Sequence, residues 1–137
     1  MKRSKSFLFT ILLHVFLPLL IGFFIYVFYR PHVWITRYLK SSIDTQSNTE
    51  NYSFITKWLI FSGPDFCWTY SFASLVFILN YLFKLMSHGV VFIFILLLTE
   101  ASEMLQLLLA PNFTFSISDM IAILMASTVS AFLNKKL

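Results

Sequence analysis

Residues 90–109 read VVFIFILLLTEASEMLQLLL, and this stretch decides how the chain is solvated. Twenty residues of helix rise about 30 Å, the thickness of a bilayer hydrocarbon core. The run is therefore a membrane span. Its composition is that of the whole chain: 58% of the 137 residues are hydrophobic and 12% charged, against about 45–50% and 25% in a soluble domain. With 17 phenylalanines and a mean hydropathy of +0.80, there is too little polar surface to face water, and the length allows one domain.

On the N-terminal side of this span, the link Met86-Ser87-His88-Gly89 leads back to a second span over about 66–83, which ends at Lys84. On its C-terminal side Ala110-Pro111-Asn112 stops it, and a further span covers about 117–133 before Lys135 and Lys136. The first apolar run, residues 7–28, is too long for the 7–15-residue core of a signal peptide and reads as a retained anchor, with Pro18 and Gly22 marking a bend. Between it and residue 66 lies a region, 30–65, with no span of its own. Trp34, Ile35, Tyr38 and Leu39 oppose Arg37 and Lys40 at helical spacing, which suits an interfacial segment, and 41–53 is polar. The patch Phe54, Ile55, Trp58, Leu59 and Phe61 is broken by Ser62-Gly63-Pro64-Asp65, too short to span, and is expected to lie on the membrane or dip into it, with Pro64 opening the next helix. The fold class expected is an all-α membrane protein, a four-transmembrane-helix bundle with short interfacial segments between helices 1 and 2.

Six basic residues, Lys2, Arg3, Lys5, Lys84, Lys135 and Lys136, share one side of that topology, and four, Arg30, Arg37, Lys40 and Lys57, share the other. The excess places both termini in the cytoplasm. The basic residues behind the net charge of +4 sit beside apolar runs, where they serve membrane orientation, and no nucleic-acid partner is expected. Cys67 is the only cysteine, so no intramolecular disulfide or zinc site can form.

Glu100, Glu103 and Gln106 recur every three residues and wind across about 120° of one side of their helix. They need protein or water beside them. Glu100 falls near the bilayer midplane, where an ionisable group costs at least about 2.5–3.5 kcal/mol. Two readings compete: these groups tie helices together by hydrogen bonds, or they line a polar pocket that handles a proton or a headgroup. The four-span topology brings Asp65 and Asp119, at the starts of their helices, and Arg30, at the end of the first, to the level of Glu103 and Gln106. One outward-facing cavity is expected there, with the guanidinium available to a carboxylate or a phosphate. Four carboxylates match no standard metal loop, and no metal or other cofactor is expected. His14, inside the first span, is either a proton relay or a packing residue. Ser118, Ala122, Ala126 and Ser130 recur every four residues, a stripe that permits close helix packing or, alternatively, a homodimer seam. No nucleophile elbow, catalytic Ser/His/Asp order or phosphate loop is present, so no catalytic residue is assigned.

The second half of the chain resembles the VanZ-like family of small integral membrane proteins. The likeness is carried by Thr99-Glu100-Ala101-Ser102-Glu103-Met104-Leu105-Gln106, by Phe113-Thr114-Phe115-Ser116-Ile117-Ser118-Asp119, and by the proline-led Pro64-Asp65-Phe66-Cys67-Trp68-Thr69-Tyr70. Departures are Ser116, where many members are acidic, Phe113 in place of a glycine, and a last helix without the usual asparagine and glycine. The resemblance implies a bacterial inner membrane, a cell-envelope role and lowered susceptibility to glycopeptide antibiotics such as teicoplanin, with Glu103, Gln106 and Asp119 as the polar positions and Glu100 and Asp65 beside them. The implied partner, besides lipid, is a lipid-linked envelope precursor or an amphipathic antibiotic. Two other classes stay open: a non-catalytic subunit or assembly factor of a larger membrane complex, docking through the small-residue stripe and Trp34 and Trp58, and an intramembrane enzyme using a glutamate as general acid or base.

Overall fold

The structure is a computed structural model that describes residues 2–29, 53–109 and 116–135, with side chains at 7–29, 53–105 and 116–135. All regular structure among them is helical: α1 (Lys2–Ile11), a π-helical turn (Leu12–Phe16), α2 (Leu17–Tyr29), α3 (Phe54–Phe83), α4 (His88–Leu109) and α5 (Ile117–Asn134). Among the described residues, four helices are long and apolar enough to cross a membrane, over Phe7–Tyr29, Phe54–Phe83, His88–Leu105 and Ile117–Asn134. The expected all-α four-span bundle is what the chain forms. Large apolar side chains such as Phe9, Leu97 and Phe132 point outward and are more than half exposed, the arrangement of a protein whose surroundings are lipid.

The region assigned to an interfacial segment and a polar loop needs correction at its C-terminal end. Phe54 to Phe61 does not form a separate patch, because α3 runs without interruption from Phe54 through Pro64 to Phe83. Ser-Gly-Pro-Asp ends a helix in water, where the solvent competes for the freed backbone groups. Here Ser62, Gly63 and Pro64 are buried in the bundle, and a helix is the cheapest way to keep the remaining backbone bonds. At 30 residues α3 is about 45 Å long, some ten residues more than a hydrocarbon core of about 30 Å requires. Arg30, the expected interfacial segment at 31–40, the loop at 41–52 and the stop at 110–112 lie outside the described residues.

α3 is the central element, with α5 and α2 packed on it and α4 set mainly against α5. Ser62 hydrogen-bonds to Ser118 and Asp119, and Ser74 to Ser130. These contacts keep one register, so α3 and α5 run parallel and the first two turns of α3 project beyond the start of α5. The stripe on α5 explains how the pair approaches: Ala122, Ala126, Ser127 and Ser130 have no exposed surface. It is therefore occupied within the chain. Ala73, Phe77, Val91 and Ile95 form the apolar core between α3 and α4.

Helix ends follow local chemistry. Lys84, in the left-handed conformation, donates its N–H to Asn80 O and stops α3. The Asn80 amide then clamps both backbone groups of Met86, which turns the chain into α4. At α5 the side chain of Ser116 caps Ser118 N. The π-helical turn of the first span ends two residues before Pro18, with Leu17 N–H bonded to Leu12 O. Proline removes the donor that would reach back four residues and crowds the carbonyl there, and one widened turn relieves both.

Candidate functional site

A pocket of about 310 Å³ lies between α3, α4 and α5. Asp65, Trp68, Thr69 and Phe72 on α3 line it at the i, i+3, i+4 and i+7 positions of one helix face, and Thr99, Ser102 and Glu103 of α4 with Ile123 of α5 complete the wall. All these positions fall in the half of the bundle away from Lys84 and Lys135. Glu103 is 8% exposed, yet it borders a space large enough for a headgroup-sized ligand.

The hydroxyl groups in this wall have defined orientations. Thr99 Oγ1 donates to Ile95 O at 2.8 Å, and Ser102 Oγ donates to Thr99 O at 2.6 Å. Their protons are spent on the helix's own carbonyls. The oxygen lone pairs remain as acceptors, so these two side chains and the two carboxylates give the pocket a wall rich in acceptors. Trp68 and Phe72 supply the apolar part. A molecule with a polar end and an apolar body matches both halves of this lining.

The residues singled out from the sequence divide into groups. Asp65 and Glu103 face the same pocket. Asp119 sits one turn before Ile123, outside the lining, and its Oδ1 accepts a 2.6 Å hydrogen bond from Ser62 Oγ. Ser118 Oγ is 3.0 Å from the same hydroxyl and 2.5 Å from Ser116 Oγ, so the start of α5 and the third turn of α3 are joined by a chain of short polar side chains. Glu100 does not line the pocket, and its Oε2 is buried with no hydrogen-bond partner among the described residues. The Gln106 side chain and Arg30 lie outside the described residues. Among the described residues no group of three or more His, Cys, Asp or Glu side chains is arranged to hold a metal ion.

Sequence reasoning missed the small polar residues set beside these acids. Ser62, which donates to Asp119, and Thr69 and Ser102, which line the pocket with Asp65 and Glu103, are ordinary in type; Ser62 and Thr69 are in helical phase with Asp65, whereas Ser102, next to Glu103 in sequence, carries no such signal. A second cluster, also missed, lies toward the opposite end, where Ser74 Oγ and Ser130 Oγ are 3.0 Å apart and Asn134 Nδ2 donates to Ser130 O at 2.8 Å. His14 Nδ1 is 2.6 Å from Tyr70 Oη, so this histidine joins the first span to α3. His88 Nε2 donates to Ala131 O at 3.0 Å while its ring stacks on Phe77, which fixes the start of α4 against the end of α5.

No protein-family model, no curated protein and no solved structure matches this chain. The architecture itself identifies it as a multi-pass membrane protein, with an open pocket of mixed polar and apolar lining between three of its helices.

Proposed function

We propose that this protein acts at the bacterial cell envelope as a VanZ-like inner-membrane protein, taking the polar end of an amphipathic or lipid-linked ligand into the pocket between α3, α4 and α5. The observation that carries this reading is the combination of Asp65, Glu103, Thr99 and Ser102 with Trp68 and Phe72 around one space of about 310 Å³. An intramembrane acid costs free energy unless protein or ligand surrounds it. A pocket of mixed lining supplies both a reason for retaining Glu103 and a route for an amphiphile whose tail stays in lipid. In this reading Glu103 and Asp65 orient the headgroup, and the termini, Lys84 and Lys135 lie on the cytoplasmic side.

The test is growth of a susceptible bacterium expressing the chain across a teicoplanin series, beside a Glu103→Gln variant, with membrane levels of both measured by blotting. Wild type is expected to raise the inhibitory concentration, and Glu103→Gln to return it to that of the empty vector at equal membrane level. Equal protection by the variant removes Glu103 from the site. No protection by well-inserted wild type overturns the envelope role.

A further inference from the structure

Trp68 borders two things at once. It forms part of the pocket wall, and it lies against the first span, with its ring centroid 5.4 Å from that of Tyr26. The close approach at this point depends on Gly22. A Cβ there would stand 2.9 Å from Cys67 Cβ and 3.0 Å from both Cδ1 and Nε1 of the Trp68 indole. The other glycines are not constrained in this way: a Cβ on Gly63 would meet only Ile25 Cδ1, at 3.7 Å, and one on Gly89 would meet nothing within 4 Å.

We infer that the first span sets the shape of the pocket through Trp68, with Gly22 and Tyr26 as positioning residues for the indole. The inference rests on the reading of this pocket as the ligand site. Indole is a rigid plate, so its place is decided by what supports it on the side away from the ligand. Cys67 Cβ is fixed to the α3 backbone and cannot retreat from an added methyl. An alanine at position 22 therefore forces the two helices apart or swings Trp68, and either movement changes the wall that the ligand meets. The first span thus belongs to the binding apparatus as well as anchoring the chain.

The experiment uses the full chain carrying W34F and W58F, so that Trp68 is the sole tryptophan, reconstituted in lipid nanodiscs. Acrylamide quenching of its fluorescence is measured for this parent and for Gly22→Ala, Tyr26→Leu and Gly63→Ala, and each variant is also assayed for teicoplanin protection. The expected result is a change of twofold or more in the quenching constant, with reduced protection, for Gly22→Ala and Tyr26→Leu, and parent-like values for Gly63→Ala. Parent-like quenching in Tyr26→Leu together with parent-like quenching in a well-inserted Gly22→Ala overturns the inference. If Gly22→Ala fails to insert, Tyr26→Leu alone decides it. Quenching that shifts while the parent itself confers no protection supports the positioning of Trp68 and sinks the ligand reading, so the two failures are separable.

Discussion

Two of the seams that α3 makes, one with α5 and one with the first span, use opposite materials. Against α5 it meets almost no side-chain bulk: Ala122, Ala126 and Ser130 lie flat and buried, and the helices are pinned by the Ser62 to Asp119 and Ser74 to Ser130 hydrogen bonds. Against the first span it presents large rings, with Trp68 on Tyr26 and Tyr70 on His14, and a single glycine, Gly22, makes room for Trp68. Lipid offers little hydrophobic drive for helices to associate, so each seam depends on close packing and polar contacts. The comparison teaches that the α5 seam relies on the absence of side chains along its length, whereas the first-span seam concentrates its fit at Gly22.

The largest effect is expected where the α5 seam has no slack. Ala126→Leu inserts a branched chain at a position with no exposed surface, and overpacking of this kind costs about 1–3 kcal/mol. Thermal unfolding in mild detergent, followed by circular dichroism, should register it as a clear fall in midpoint. Leu20→Ala, on the half-exposed face of the first span, should stay within about 0.5 kcal/mol. A parent-like midpoint for Ala126→Leu would mean that the seam opens freely.

Next in size is Ser62→Ala, which removes the donor to Asp119 Oδ1. Interhelical hydrogen bonds in membranes average about 0.6 kcal/mol with a maximum near 1.7 kcal/mol, and a bond to a carboxylate belongs near the upper end. Steric-trapping measurements of unfolding in bicelles have the resolution to read this. Tyr70→Phe, which deletes the hydroxyl facing His14, is the smallest, at about 0.6 kcal/mol. A larger loss for Tyr70→Phe than for Ser62→Ala would reverse the ranking of the two seams.

Much of this design is legible in the sequence, and the illegible parts have a common cause. The apolar runs reveal four spans because a bilayer imposes a minimum length on any helix that crosses it. The stripe Ser118, Ala122, Ala126 and Ser130 reveals which face of α5 packs closely. Pro64 misleads, because its effect depends on whether water can reach the freed backbone groups. In the sequence, level in the membrane and the family likeness are what group Asp119 with Asp65 and Glu103. Level says nothing about direction around the helix axis, and the fold turns Asp119 toward Ser62 while Asp65 and Glu103 face the pocket.

That this chain lives in lipid, crosses it with four helices, and carries acids that must be shielded there follows from its residues alone. Those are consequences of solvent and length, which act on each segment separately. The tertiary structure alone decided which acids share a space, which hydroxyl holds Asp119, and that Trp68 stands between the pocket and the first span. Such relations depend on the rotation and register of one helix against another, fixed by contacts between residues far apart in the chain, such as Phe77 with Val91 and Ser62 with Asp119.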